Sequence, residues 1–320
     1  MSFRTLSGPV FAASIALVSL AGCASQTGPG ENVDATEDEL RTTYGNILET
    51  LPEAQLEQWI AARSALATGF DQICGDTICS GDFSNLTTVR IACSSTKATQ
   101  KLKACTWVLG GSIDRVDSRT GKIITDARVF TCNIPVASSA KSMLDTLRAA
   151  GAGALQAPLP GTGQSFYDGL VSCFSGVSGV AVPEQPKTFY GELGDFEWTV
   201  SEAAGLAYLQ GLRKLAQGFD DVCGDTFCEG DYSDITPLRL ACSVNQSTKR
   251  VARCSWSFAA AELSVDSKGA VTARTAVKKC VVEVGSSATD FSALLSGDDP
   301  LNTKLPGRKT SIYDALVGCL

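Results

Sequence analysis

Carboxylates set among glycines and cysteines mark the run CGDTICSGDFS, Cys74 to Ser84, and the pattern returns as CGDTFCEGDYS, Cys223 to Ser233. Asp76 and Asp82 of the first copy match Asp225 and Asp231 of the second, which adds Asp221, Glu229 and Asp234. Calcium takes six to eight oxygen ligands from such groups, so Asp76, Asp82, Asp225 and Asp231 form a candidate calcium site. The EF-hand spacing is absent, and the first copy is poor in ligands. A structural reading uses the same residues. Gly75 and Gly81 allow tight turns, Asp76 and Asp82 can hydrogen-bond nearby backbone amides, and a Cys74–Cys79 bridge would pin the loop. The residues favour this second reading, and no cofactor is expected.

Other chemistries are narrowed by composition. The chain has no histidine, which removes Ser-His-Asp and Cys-His catalysis and the commonest zinc ligand. Carboxylate pairs and Ser-Lys pairs stay open. The net charge is −7, and loss of residues 1–22 with Arg4 makes it −8. An acidic body is a poor partner for nucleic acid or anionic lipid headgroups, which are met by Lys and Arg. Hydrophobic residues make up 44%, enough for a packed core and too much for a disordered stalk.

The N-terminus carries Arg4 and then VFAASIALVSL, Val10 to Leu20. Eleven apolar residues suit a signal-peptide core and fall short of the roughly 20 that span a bilayer. The stretch ends in Leu20-Ala21-Gly22-Cys23. It resembles the lipobox of bacterial lipoprotein precursors, over the first 23 residues only. The resemblance implies cleavage before Cys23, acyl chains, palmitate among them, on its thiol and new amino group, and a place in the bacterial cell envelope. Ala24 stands where a retention aspartate would, which by the same analogy points to the outer membrane. Several acyl chains hold a protein stably where one is marginal. The polar, acidic segment that follows has no apolar cluster to bury and reads as a tether.

The other twelve cysteines fall into two sets of six. Cys74, Cys79, Cys93 and Cys105 each recur 149 residues on as Cys223, Cys228, Cys242 and Cys254; Cys132 recurs as Cys280 after 148 and Cys173 as Cys319 after 146. Residues 69–94 and 218–243 share 16 identities in 26 positions, so the chain carries an internal duplication. Even cysteine numbers in an exported chain imply disulfides. Six cysteines allow 15 pairings. Proximity suggests Cys74–Cys79, Cys93–Cys105 and Cys132–Cys173, with Cys223–Cys228, Cys242–Cys254 and Cys280–Cys319 in the second copy.

Each copy opens on a helical stripe. Leu56, Trp59, Ile60, Arg63, Leu66, Ala67 and Phe70 recur at helical spacing, and all but Arg63 are apolar; Leu206, Leu209, Leu212, Leu215, Ala216 and Phe219 repeat the pattern. Three strands follow the duplicated loop. Val89, Ile91 and Cys93 alternate with Arg90 and Ala92, and Cys105, Trp107 and Leu109 share one face of the second strand, as do Cys254, Trp256 and Phe258. DSRTG and DSKG supply the next turn. A helix over SSAKSMLDTLRAAG and a short one over SFYDGLVSC close the module, with Asp168 and Asp314 in the first turn of the short helix. The expected fold is therefore α+β: two tandem homologous modules, each a helix-flanked three-stranded antiparallel sheet with three disulfides. The order resembles cystatin-like folds, without their inhibitory motif. The expected divisions are signal peptide 1–22, tether 23–44, module one 45–176, linker 177–190 and module two 191–320.

These features suggest a lipid-anchored envelope protein that binds a protein or envelope component, or has a structural role, without catalysis. The alternatives are a secreted hydrolase using carboxylates about 5–9.5 Å apart on glycan, and an inhibitor or immunity protein.

Overall fold

The computed structural model describes residues 43–74, 83, 85–175, 189–195, 201–224 and 226–320. In the first module, β1 (Tyr44–Asn46) leads through α1 (Ile47–Thr50) into α2 (Glu53–Cys74). The meander β2 (Thr87–Thr96), β3 (Leu102–Val116) and β4 (Ile123–Ile134) follows, then α3 (Ala140–Ala150), a 3-10 turn over Gly151–Gln156 and α4 (Phe166–Phe174). The second module repeats the order as β5 (Tyr190–Glu192), α5 (Glu202–Cys223), β6 (Asp234–Asn245), β7 (Arg250–Val265), β8 (Val271–Glu283), α6 (Ala288–Ser296) and α7 (Ile312–Val317).

Each sheet is antiparallel and has four strands, in the orders β1-β2-β3-β4 and β5-β6-β7-β8. The three-stranded expectation is corrected by β1 and β5, which pair with the ends of β2 and β6 at Ser94–Thr96 and Ser243–Asn245. Three residues are too few to show a period of two. Tyr44 and Tyr190, expected in the tether and the linker, thus begin strands.

Local chemistry explains the helix starts. Ser201 caps α5 through the Ala204 amide, and Ser139 and Ser287 cap α3 and α6 in the same way. Ser165 with Asp168, and Ser311 with Asp314, form complete capping boxes on α4 and α7. Hydrogen bonds from Ser165 hold the Asp168 carboxyl below its ordinary value.

One face of each sheet carries the large apolar residues and meets the helices. In module one, Trp59, Leu66 and Phe70 of α2 pack on Cys93, Trp107, Leu109 and Cys132 with Met143 and Phe166. In module two, Tyr208, Leu215 and Phe219 pack on Cys242, Trp256, Phe258 and Cys280 with Phe291 and Ile312. Disulfides knit these cores: Cys93–Cys105 and Cys242–Cys254 join residues directly opposite in register, and Cys132–Cys173 and Cys280–Cys319 tie the closing helix region to the last strand. Cys223–Cys228 closes the second duplicated loop. Cys74 is disulfide-bonded, and Cys79, its expected partner, lies outside the described residues.

The other faces of the two sheets meet each other. Ala92, Val108 and Ser112 from one side, and Ala241, Ser257 and Ala259 from the other, are almost fully buried. The result is four layers: helices, sheet, sheet, helices. Small side chains allow the close approach, and a Cβ on Gly110 would lie 2.4 Å from the Ala259 Cβ. The contacts are exchanged between copies. The Tyr44 amide donates to Ser267 and the Tyr190 amide to Ser118, its equivalent. Each tyrosine ring lies over the other module's turn glycine, Gly269 (φ +83°) or Gly121 (φ +70°), where an added Cβ would sit 2.7 Å from the ring. Both glycines supply the left-handed backbone and the space for the ring. This reciprocity is the isologous pattern of a two-fold interface, here within one chain.

Candidate functional site

Charged groups gather along the seam between the sheets. A register shift interrupts β2 between Thr88 and Arg90, and β6 between Pro237 and Arg239, the equivalent place. Such bulges re-aim side chains. Arg90 reaches across to Asp234 of the other module, 2.9 Å away. Arg239 takes Glu192 at 2.5 Å within its own module, and its Nε lies 4.0 Å from Asp114 of the first.

Asp114 is the most enclosed of these carboxylates, with no exposed side-chain surface. Ser112 Oγ donates to it at 3.0 Å and Thr125 Oγ1 at 2.5 Å. Ser257 Oγ of the second module reaches Ser112 Oγ at 3.2 Å, and Lys279 Nζ donates to the Thr125 carbonyl at 2.7 Å. Burial pushes the Asp114 carboxyl above the ordinary aspartate value, against its two hydroxyl donors, Arg239 and Lys279. Burial opposes the Arg239 charge, but Glu192, by charge and hydrogen bond, and then Asp114 outweigh it and raise its pKa. Behind them, Tyr208 donates to the Leu240 carbonyl at 2.6 Å, and burial keeps its phenol protonated.

This arrangement can align two sheets and resist their sliding, since misplaced partners would leave charges buried and unpaired. It is ill suited to turnover. Asp114 is closed to any substrate, and Glu192 is held by a guanidinium.

The residues singled out in the sequence are placed unevenly. Cys23, Asp76, Asp82 and Asp225 lie outside the described residues. Asp231 is exposed, with the Arg274 guanidinium 3.9 Å away, so a cation already neighbours it. Asp234, grouped with the acidic loop by sequence, serves Arg90 instead. Among the described residues, no three His, Cys, Asp or Glu side chains gather as a metal group, and no helix is long and apolar enough to cross a membrane. Asp114, Glu192 and Arg239 escaped sequence reasoning, and Arg90 and Asp234 were noted there without their pairing. Their signal was the arginine repeated between apolar neighbours in VRIACS and LRLACS.

No family model matches the chain, and no curated protein or solved structure matches it.

Proposed function

We propose that this protein is an exported, lipid-anchored envelope lipoprotein whose two-module body binds a partner or serves a structural role without catalysing a reaction. The observation that carries the reading is the closed α–β–β–α body with buried disulfides, following a segment that resembles a lipobox. Disulfides persist in oxidising compartments outside the cytoplasm, and several in one chain suit that destination. The seam supports a non-catalytic role: its carboxylates are spent on cross-sheet hydrogen bonds and ion pairs. By analogy with lipoproteins lacking a retention aspartate, the outer membrane is its place.

The test is fractionation of cells producing the full chain and its Cys23→Ala variant. Attachment through Cys23 puts the parent protein in the membrane fraction with a mass increased by acyl chains, and moves the variant out of that fraction without acylation. A parent chain of unmodified mass in the soluble fraction would overturn the anchor.

A further inference from the structure

Arg63 is the polar exception among the apolar residues at helical spacing in α2, beside the face that Trp59, Ala62, Leu66 and Phe70 bury, and α5 has Leu212 at the equivalent position. It is half-buried, its Nε has no exposed surface, and its guanidinium makes no hydrogen bond or ion pair among the described residues. Burial first, and Arg90 second, hold Arg63 below the ordinary arginine value, while Asp234 acts the other way. Arginine nevertheless stays protonated in proteins, and the one carboxylate that acts on its charge, Asp234, is already paired with Arg90.

Arg63, Arg90 and Asp234 line one cavity of about 280 Å³, with Ile60, Ala67 and Thr88 around them. Two guanidiniums and one carboxylate leave one net positive charge. Glu262, which also feels Arg90, is outside the lining and is held by Ser233. The cavity opens where α2, the edge of β2 and the start of β6 converge, so both modules contribute to it. There β2 pairs with β3 alone among the described residues, because β1 reaches only Ser94–Thr96. Module two lacks the arrangement: Leu212 replaces Arg63, and Glu192 neutralises Arg239.

We propose that this cavity binds a carboxylate that carries a small apolar substituent, with Arg63 as the principal contact. The guanidinium fork matches a carboxylate in two parallel hydrogen bonds. One net positive charge suits a monoanion better than a phosphate dianion. The substituent lies against Ile60 and Ala67, and Ile60 is half exposed at 50%, apolar surface open to such contact. Both a free aliphatic carboxylate and the C-terminus of an extended peptide have this chemistry, and the open β2 edge can accommodate the second. The proposal deepens the binding role above and rests on it, but its test reads affinity rather than attachment, so the two fail separately.

The test is calorimetric titration of the full chain in detergent, at low salt, with isovalerate, acetyl-Gly-Gly-Val and the amide of that peptide. At least one of the two carboxylates binds with a dissociation constant of about 1 mM or tighter, a weak but measurable affinity. Arg63→Leu, which installs the second module's residue, weakens it at least tenfold, and Arg63→Lys weakens it less. The Leu variant melts no lower than the parent, because an unpaired half-buried cation has been removed; should it fail to fold, Arg63→Lys carries the comparison. Preference for isovalerate identifies a small-molecule site. Preference for the peptide acid over its amide identifies a chain-end site. Absence of binding by both carboxylates at 10 mM (about ten times the weakest affinity expected), or unchanged binding in the Arg63 variant that folds, would overturn the proposal.

Discussion

At the scale of single residues, Asp114 shows how position decides the role of a carboxyl group. It is one of many acids in an acidic chain, and nothing in its neighbours SIDRV distinguishes it. The topology places it between two sheets, shut from water and served by Ser112 and Thr125. Because its folded pKa is raised, the ionised form is penalised in the folded state. That destabilisation is absent below the ordinary aspartate value of about 3.9 and grows as pH rises toward the raised folded value. Asp114→Asn removes the titration. Relative to the variant, the parent protein should therefore lose stability as pH rises from about 4 until the raised folded value is passed. Denaturant unfolding of both proteins across that range checks this, and a parent–variant difference independent of pH would contradict it.

At the scale of elements, the helices and the meander were legible because each has a period or a turn signal of its own, although Ile60, Leu206 and Leu209 of the expected apolar stripes are exposed. The three-residue strands β1 and β5 have neither. The inter-sheet face was hidden for another reason. Along β3 the helix-facing residues Cys105, Trp107 and Leu109 announce themselves, while Thr106, Val108, Gly110 and Ser112 read as an indifferent mixture. In retrospect the lack of charge from Ala104 to Ile113 marks a strand buried on both sides, as does AAA in β7. Arg63 was visible as an exception to a stripe, but its relation to Arg90 and Asp234 exists only in three dimensions. The disulfides act at this scale as well. In the chain-entropy account a bridge stabilises more when it closes a longer loop. Replacing Cys93 and Cys105, 12 residues apart, with alanine should cost about 3 kcal/mol, and replacing Cys132 and Cys173, 41 apart, about 4. Urea unfolding of the two double variants checks the order, and a greater loss from the shorter loop would contradict the account.

At the scale of the molecule, the duplication yields one body. Each copy covers its sheet with its own helices on one face and leaves the other face to its twin. The tyrosines of β1 and β5 dock on each other's turns, and Arg90–Asp234 bridges the copies within the seam. The pseudo-symmetry is broken where function is proposed: Arg63 faces Arg90 in one copy, while Leu212 and a neutralised Arg239 stand in the other. This account requires the two modules to unfold together, because separating them exposes both inner sheet faces and breaks the Arg90–Asp234 pair. The most direct measurement is differential scanning calorimetry of the oxidised full chain in detergent. The account predicts one transition, with calorimetric and van't Hoff enthalpies in agreement. Two resolved transitions, each insensitive to Gly110→Val at the sheet–sheet contact, would show the modules to be independent and contradict it.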